Sequence, residues 1–332
     1  MIRALIISSL SERYYYDAFV KACRETDIKV GILDPEHFIK ENHSVDIHLQ
    51  GGLPEGTIEV VELGNDTNST TSIDISAIKV AWHLRVNRLL RVSQIRNIEK
   101  RFKWSETLLA LNSVCNVLPC KWINTIESIE RLGGNKLLQQ VRAAQVGLNT
   151  PDTIISNSPE AVTRFSAKND GHLLLKSMGN VKLDRDGTMA LYSEIFRSDE
   201  LGESADAIRI CPVYAQEYIP KRYEYRVMFI GDEIHACRIN SQASKKTIID
   251  WRHYDFDNVE HIEAELPTEV LVRLTAFMRS VDLSYGAIDM IETPSGEFVF
   301  LEVNPSGQWE WIAELGKLPI ADSVARMIKS YA

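Results

Sequence analysis

Short β-rich apolar runs separated by polar segments dominate the first quarter of the chain. This alternation predicts an open α/β unit. The runs occupy residues 2–8, 29–33, 44–48, 58–61 and 79–82, and residues 14–26 and 105–112 have the pattern of helices. Residues 64–72 hold no apolar anchor and are therefore predicted to form a solvated loop.

The central part of the chain opens with its strongest helical pattern. Residues 136–148 place apolar side chains three and four positions apart, and Gly147 and Pro151 supply the signals that end a helix. A strand, a second helix and another strand are predicted to follow, at residues 153–156, from residue 158 onward and at residues 172–177.

From residue 213 onward the chain is rich in strands. The strand patterns occupy residues 213–218, 223–230, 233–239, 286–291 and 297–303, with helix patterns at 269–280 and 320–331. The last two strands flank the turn-forming run Thr-Pro-Ser-Gly, so they are predicted to form a hairpin. The final helix is expected to close this C-terminal part, and the mixture predicts an α/β (α+β) fold class.

Composition and charge restrict the class of protein. The 332 residues are 45% apolar and 25% charged, with a formal net charge of −9, as in globular chains of two or three units. The acidic balance argues against nucleic acid as a partner. No apolar run approaches the roughly 20 residues that cross a bilayer, so no membrane partner is expected. Five scattered cysteines without a C-x-x-C pair indicate reduced thiols and a cytoplasmic protein.

One local cluster is basic. Its spacing fits a solvated helix face or a site for an acidic segment. The cluster comprises Arg85, Arg88, Arg91, Arg96, Lys100 and Arg101.

The predicted C-terminal hairpin carries the most informative polar side chains. Glu302 and Asn304 are two residues apart on one strand and therefore point to the same face. Asp289, on the other strand, shares that face if the connecting loop holds an even number of residues. Three oxygen ligands on one rigid face suit Mg²⁺, which binds few carboxylates together with waters and phosphates. The alternative is a solvated hairpin face that carries acids by chance.

Two lysines stand at element boundaries. Lys136 is in the first turn of the central helix, and Lys176 ends a largely apolar strand. Core strands rarely end in a cation unless an anion meets it, and phosphates would supply that anion. The glycine-containing connection at residues 177–187 could fold over phosphates. The alternative for each lysine is a surface cation whose stem packs on apolar groups.

A third signal is the run Gln-Glu-Tyr-Ile-Pro at residues 216–220. A strand that ends in a proline-containing linker indicates a hinge whose backbone could pair with an adenine edge, while Glu224 could accept from ribose hydroxyls. Arg226 and Arg238 follow on successive strands and could bind an anion bidentately. Each could also form an ordinary surface ion pair. Trp82, Trp251 and Trp309 are expected in the core or in a pocket wall.

The order of these features resembles the ATP-grasp ligases over essentially the whole chain. Five features carry this resemblance, in the order in which they occur along the chain. They are Asn-Lys at residues 135–136, the stretch 147–151, Leu-Lys at residues 175–176, the hinge at residues 216–219, and the set Asp289, Glu302 and Asn304. Within that family, the chain is most similar to the graspetide ligases that make microviridin-type peptides. The stretches that carry this similarity are residues 220–227, 239–242 with 250–252, and 301–309.

The resemblance implies an N-terminal pre-ATP-grasp α/β domain at residues 1–125, a central domain at 126–212 and a C-terminal domain at 213–332. ATP would lie between the last two. Mg²⁺ would bind Asp289, Glu302 and Asn304, and Arg226 and Arg238 would be catalytic, with Arg226 holding the acyl phosphate. The nucleotide would contact Lys136, Lys176, Gln216, Glu217, Tyr218, Ile219 and Glu224.

The activity that the resemblance implies is ATP-dependent crosslinking of a precursor peptide. A side-chain carboxylate would become an acyl phosphate, and a hydroxyl or amine of the same peptide would attack it to give an ω-ester or ω-amide. The alternatives are a ligase that adds amino acids to a carboxylate and a nucleotide-gated binding module without turnover. The expected partners are a peptide with leader and core and a second copy of the chain. Leader docking is expected at Asp199 and Glu200.

Overall fold

The computed structural model describes residues 2–63, 68–84, 95–178, 193–197, 199–253 and 255–332. The chain divides into two compact units, Met1–Ile126 with Pro319–Ala332, and Glu127–Leu318. Arg85, Arg88 and Arg91 of the basic cluster lie outside the described residues, as does most of the connection at 177–187. The cluster's remaining members are exposed on or beside the helix at Ile98–Val117.

The first unit is built on a mixed sheet. Its strands are β1 (Ile2–Ile7), β2 (Lys29–Leu33), β3 (Val45–Gln50), β4 (Leu53–Glu62), β5 (Ser69–Asp74), β6 (Val80–His83) and β7 (Lys121–Ile123). The order is β3-β4-β2-β1-β6-β7, with β5 paired to β4. β2, β1, β6 and β7 are parallel, and the remaining pairs are antiparallel. The open α/β unit predicted from the apolar runs is confirmed.

Two sequence predictions in this unit were wrong. Part of the expected loop at 64–72 is strand β5, because Thr70 and Thr71 are β-branched and pair with β4. The helix expected at 105–112 spans Ile98–Val117, since Asn97 caps it much earlier by accepting from the Lys100 amide. The helices are α1 (Asp17–Glu25), α2 (Pro35–Lys40) and α3 (Ile98–Val117).

The second unit contains a four-stranded and a five-stranded antiparallel sheet among the described residues. The first has the order β10-β9-β11-β8, with β8 (Thr153–Ser156), β9 (His172–Lys176), β10 (Glu194–Arg197) and β11 (Val213–Glu217). Its part of the chain also forms α4 (Ile126–Leu132), α5 (Lys136–Gln145), α6 (Pro159–Lys168) and α7 (Ala205–Ile210). β11 therefore pairs with β8 and β9 of the central segment. The expected C-terminal domain, residues 213–332, begins at the first residue of β11. The division into three domains stays a prediction.

The five-stranded sheet has the order β14-β13-β12-β15-β16. Its strands are β12 (Tyr223–Ile230), β13 (Glu233–Ile239), β14 (His261–Ala264), β15 (Tyr285–Glu292) and β16 (Phe298–Asn304), with helices α8 (Thr268–Ser280) and α9 (Glu310–Gly316). Val227, Ile288 and Phe300 from one sheet face pack in a single core with Leu274 and Phe277 of α8. The opposite face is left available for polar chemistry.

The last helix, α10 (Ile320–Tyr331), belongs to the first unit and packs against α1. It does not close the C-terminal part of the chain, as its position in sequence suggested. Within the described residues, none of the helices combines the length and apolar character that crossing a membrane requires.

Candidate active site

A cleft in the second unit receives side chains from both of its sheets. It gathers residues that are up to 166 positions apart in sequence, from Lys136 to Glu302. The site residues named from sequence that line it are Lys136, Lys176, Gln216, Glu217, Tyr218, Ile219, Glu224, Asp289 and Glu302.

The acidic pair of this cleft depends on an irregularity of the hairpin. β15 and β16 place Asp289 directly opposite Glu302. Residues 293–297 between the strands are odd in number, so an unbroken register would pair Asp289 with Leu301 and turn Glu302 to the other face. A bulge that shifts the register between Asp289 and Met290 corrects this mismatch. Both Leu301 and Glu302 consequently line the cleft, and the bulge, not an even-numbered loop, places Asp289 opposite Glu302.

Asn304 continues the same strand beyond Glu302. It lies opposite Ala287, two residues after Glu302, and therefore on the same face. Its side-chain oxygen accepts from the Ser306 amide at 3.0 Å. Asn304 is exposed and is not part of the cleft wall described above.

Cations neutralise both carboxylates. Lys136 Nζ lies 2.8 Å from Glu302 Oε2, and Arg226 Nη1 donates to both oxygens of Asp289, at 2.9 and 3.1 Å. Burial raises the pKa of Asp289, and Arg226 offsets this only in part. Burial would also raise the pKa of Glu302, but Lys136 and Lys176 outweigh it, so this pKa lies below its ordinary value. Glu302 is therefore ionised at neutral pH.

Lys176 ends β9 and faces the same carboxylate from the other sheet. Burial lowers the pKa of its ammonium group to about 8; Glu302 opposes this shift and Lys136 adds to it. Two lysines and one carboxylate thus leave an excess of positive charge at this end of the cleft. Such a surface attracts an anion of high charge, as a polyphosphate is.

The hinge run is fixed by side-chain hydrogen bonds. Gln216, 1% exposed, donates from Nε2 to Thr153 Oγ1 at 3.2 Å and to the Tyr214 hydroxyl at 3.1 Å. Glu217 Oε1 accepts from the Asp152 amide at 2.9 Å. These bonds hold the run at the cleft wall. The bonds of Gln216 to Thr153 and of Glu217 to Asp152 join β11 to the start of β8.

Glu224 is paired inside the cleft with Lys221. Lys221 Nζ donates to Glu224 Oε1 at 2.8 Å, and the two side chains are 7% and 8% exposed. Burial raises the pKa of Glu224, while Lys221 opposes the shift. No role was assigned to Lys221 from sequence, although it lies within the stretch 220–227 that carried the resemblance.

Sequence reasoning also assigned no role to Asp250 and Arg252, which line the cleft. The Asp250 carboxylate accepts from the Ser193 amide at 3.2 Å and from Arg252 Nε at 2.8 Å. Burial alone would raise the pKa of Asp250, but the bonds from Arg252 lower it to about 2. The spacing Asp-x-Arg was the available signal. The buried Asp250 carboxylate thus holds the guanidinium of Arg252, whose side chain is 41% exposed.

The tryptophans follow their prediction. Trp251 lines the cleft and stacks on Trp311, with ring centroids 4.6 Å apart and planes inclined by 22°. Trp82 and Trp309 are core residues, 1% and 2% exposed. Trp251 therefore extends the cleft with an aromatic wall.

Besides Asn304, four site residues named from sequence are not in the wall of this cleft. Arg226, with a side chain 8% exposed, contacts Asp289 and donates to the Gln308 carbonyl at 3.1 Å. Arg238 lies over the Tyr223 ring, 4.5 Å from its centroid. The two arginines occupy opposite faces, because Arg226 pairs with Cys237 and Arg238 follows Cys237. The other two are Asp199 and Glu200, which contact Arg197 through its guanidinium and its amide.

The donor set fits Mg²⁺. Among the described residues no group of three or more His, Cys, Asp or Glu side chains could hold a metal by itself. Asp289, Glu302 and the Asn304 amide offer three oxygen donors on one face, which suits an ion that takes its other ligands from water and phosphate. In this structure, Lys136 and Arg226 form ion pairs with these carboxylates.

Solved structures match the whole chain, whereas no family model and no curated protein matches it. A RiPP-associated ATP-grasp ligase of Chryseobacterium gregarium, solved with ADP and a leader and core peptide, has a TM-score of 0.84 at 22% identity, covering 100% of this chain and 98% of that one. The macrocyclase MdnC of Microcystis aeruginosa, bound to the precursor peptide MdnA, gives 0.79 at 24% identity, over 99% and 100%.

A third structure widens the comparison. The D-cycloserine synthetase DcsG has a TM-score of 0.60 at 14% identity, and both chains are covered completely. At these identities the likeness establishes the fold. The chain has the ATP-grasp fold over its full length, as the order of sequence features implied.

Proposed function

We propose that this protein is an ATP-dependent ligase that crosslinks side chains within a ribosomally made precursor peptide. A peptide carboxylate would receive the γ-phosphoryl group of ATP, and a hydroxyl or amine of the same peptide would displace phosphate, giving an ω-ester or ω-amide. The observation that carries the proposal is the cleft itself, where Asp289 and Glu302 face Lys136 and Lys176 beside the Gln216–Ile219 hinge.

The chain's own residues would bind the nucleotide. Tyr218 and Ile219 lie at the cleft wall next to the fixed Gln216, and their backbone groups would pair with the edge of a base. Glu224, held by Lys221, is placed to accept from ribose hydroxyls. Lys136 of α5 and Lys176 of β9 lie on either side of Glu302 and would hold phosphates.

The chemistry requires positioning and charge. Asp289 and Glu302, with Asn304, would hold Mg²⁺, which neutralises phosphate charge during phosphoryl transfer. Arg252 is the guanidinium that lines the cleft, anchored through Asp250. We therefore propose Arg252 as the group that binds the acyl phosphate and its tetrahedral adduct. Arg226, expected in that role, would instead hold Asp289.

The comparison structures supply the substrate class. The two ligases with the higher TM-scores were solved with leader and core or precursor peptides. A ligase that adds a free amino acid is the second candidate, because the fold is shared with DcsG. The higher TM-scores and identities of the two peptide ligases favour the first. The five cysteines are free, which agrees with a cytoplasmic enzyme.

Leader docking at Asp199 and Glu200 is part of the proposal. Both are exposed, and they precede α7. A leader held there would raise the local concentration of the weakly bound core. Replacing both with alanine should weaken binding of full-length precursor and leave ATP affinity unchanged. Equal precursor affinity in calorimetry would exclude this docking site.

A second copy of the chain is the other proposed partner. α3 buries one face yet exposes Ile98, Phe102 and Leu109 on another, at 70%, 68% and 61%. These positions form one stripe, since they are four and seven residues apart. Phe102→Glu should shift the protein to monomers in light scattering at micromolar concentration. A wild-type protein that is monomeric there would contradict the proposal.

A direct test of the reaction uses hydroxylamine. Peptides with acidic and hydroxyl or lysine side chains are incubated with enzyme, Mg²⁺ and ATP, and hydroxylamine traps any acyl phosphate as a hydroxamate. Peptide hydroxamate that forms only with ATP supports the proposal. ADP formation with free amino acids but without peptide would favour the second candidate.

A further inference from the structure

A buried glutamine joins α5 to the strand that carries the acidic side chains. Gln139 is 2% exposed. Its Nε2 donates to the Leu132 carbonyl at 2.8 Å and to the Val303 carbonyl at 3.0 Å. Its Oε1 accepts from the Val303 amide at 2.8 Å. One side chain therefore satisfies both backbone groups of Val303, the residue between Glu302 and Asn304.

The position of this contact follows from the sheet. Among the residues that the structure describes, β16 is an edge strand, so its outer backbone groups have no neighbouring strand there. Before the bulge, Asn149 meets them, accepting from the Phe300 amide at 2.8 Å and donating to the Phe298 carbonyl at 3.4 Å. The bulge changes which residues point outward, and after it Gln139 takes over at Val303. The side-chain amide replaces a strand at the first residue beyond Glu302.

The contact also complements the ion pair one turn earlier on α5. Lys136 contacts Glu302, and Gln139, three residues on, contacts the next residue of β16. When Glu302 binds a metal and Lys136 a phosphate, their mutual bond weakens. The amide of Gln139 takes no part in such exchange, because it is buried and binds only backbone.

We propose that Gln139 is a positioning residue that fixes the bulged segment of β16, and thereby the spacing of Glu302 from Asp289 and Lys136 for metal and nucleotide binding. The role of Gln139 in catalysis rests on the proposed function, whereas its role in metal binding is measured without any ligase reaction. Partners that orient metal ligands commonly change metal affinity about 10- to 100-fold when they are removed.

The decisive variant is Gln139→Met, which keeps the length of the side chain and removes its hydrogen bonds. Gln140→Met is the matched control, since Gln140 is the adjacent residue, is 5% exposed and accepts from Thr153 Oγ1 of β8. Hydrogen exchange of a fragment covering β16 should be about tenfold faster in Gln139→Met than in wild type. In Gln140→Met, exchange of that fragment should be unchanged.

Metal binding is measured with Mn²⁺ in the presence of ADP, by electron paramagnetic resonance. We expect Mn²⁺ affinity to fall about tenfold or more in Gln139→Met, while ADP binding without metal changes less than threefold. A folded Gln139→Met protein with Mn²⁺ affinity within twofold of wild type would overturn the proposal. If no peptide is ligated by the wild-type enzyme, the proposed function fails, yet the exchange and Mn²⁺ results still decide the role of Gln139.

Gln139→Glu provides a second variant if the methionine variant does not fold. A carboxylate cannot donate to the Val303 and Leu132 carbonyls, but its protonated form can donate to one of them and accept from the Val303 amide. Its Mn²⁺ affinity relative to wild type should therefore recover as pH falls from 8 to 5.5. A pH-independent ratio would contradict a role that depends on these hydrogen bonds.

Discussion

Lys136 Nζ lies 2.8 Å from Glu302 Oε2, across the gap between the first turn of α5 and strand β16. Both groups are expected to bind parts of the same metal–nucleotide complex, the lysine a phosphate and the glutamate the metal. Lys136 and Glu302 therefore neutralise each other's charge, and binding of that complex would replace their ion pair. The pairing explains how Glu302 can lie opposite a second carboxylate, Asp289.

The proposed metal ligands Glu302 and Asn304 give the first prediction. Glu302→Gln and Asn304→Ala should each lower turnover by about a hundredfold or more, because charge neutralisation in phosphoryl transfer is lost, at a cost of several kcal/mol. The fold should survive in both variants, as judged by circular dichroism. Glu297→Gln, in the loop of the same hairpin, is the control and should retain wild-type turnover. Normal rates for Glu302→Gln would remove Glu302 from the site.

The second prediction concerns pH and Lys176. Burial lowers the pKa of this lysine to about 8, so in the free enzyme it loses its charge as the pH rises through that value. ADP affinity should be highest below pH 7.5 and should weaken as the pH rises to 9.5. Lys176→Met should bind ADP weakly at pH 7 and show a flatter profile. Calorimetry across this range measures both, and parallel profiles would exclude Lys176 as the titrating group.

A third prediction separates ribose recognition from stability at Glu224. Wild type should bind ADP more tightly than 2′,3′-dideoxy-ADP, and Glu224→Ala should lose most of this difference. The same change removes the carboxylate partner of the buried Lys221, which still donates to the Ile249 carbonyl, so the free energy of unfolding should fall by about 3–5 kcal/mol. Lys221→Met with Glu224→Leu should regain stability but not ribose discrimination. A Glu224→Ala enzyme that still prefers the ribose hydroxyls would refute the assignment.

The fourth prediction tests the anchoring of Arg252. Asp250→Asn should weaken the hold on this guanidinium and reduce turnover more than it reduces ADP affinity, because Arg252 is proposed to act on the acyl phosphate. Since bonds from Arg252 hold the pKa of Asp250 at about 2, this anchor stays intact down to about pH 4. Arg252→Lys should resemble Asp250→Asn. Equal losses of turnover and ADP affinity would indicate a role in nucleotide binding.

Sequence patterns located most of the cleft for a physical reason. Lys136, Lys176 and Glu302 are charged residues at the ends or faces of apolar elements. A charge at such a position would be buried, and burial of a charge needs a partner. Because the neighbouring apolar residues are adjacent in sequence, these positions can be recognised from the sequence alone. Arg238 was misplaced because the face of a strand residue depends on register, and the pairing of β12 with β13 sets it opposite Tyr225. One residue of register changes the face of every side chain.

Other parts of the site depend on contacts that are distant in sequence. Gln139 reads as an ordinary polar helix residue, and only the packing of α5 on β16, 164 positions away, reveals its bonds to Val303. The bulge at Leu301 is likewise invisible, because nothing in the strand pattern marks the extra residue. Asp250 and Arg252 lie in a segment of short helical turns, where periodicity carries no information.

The most direct measurement of the central claim is the mass of a peptide after reaction. Short peptides rich in Asp or Glu and Thr, Ser or Lys, encoded near the gene, are co-expressed with wild-type enzyme or with Glu302→Gln and analysed by mass spectrometry. The account predicts that one such peptide loses the mass of one water for each crosslink with wild type only, and that fragmentation fails within the bridged segment. Peptides that keep their mass, or gain that of an added amino acid, while the wild-type enzyme forms ADP, would contradict it.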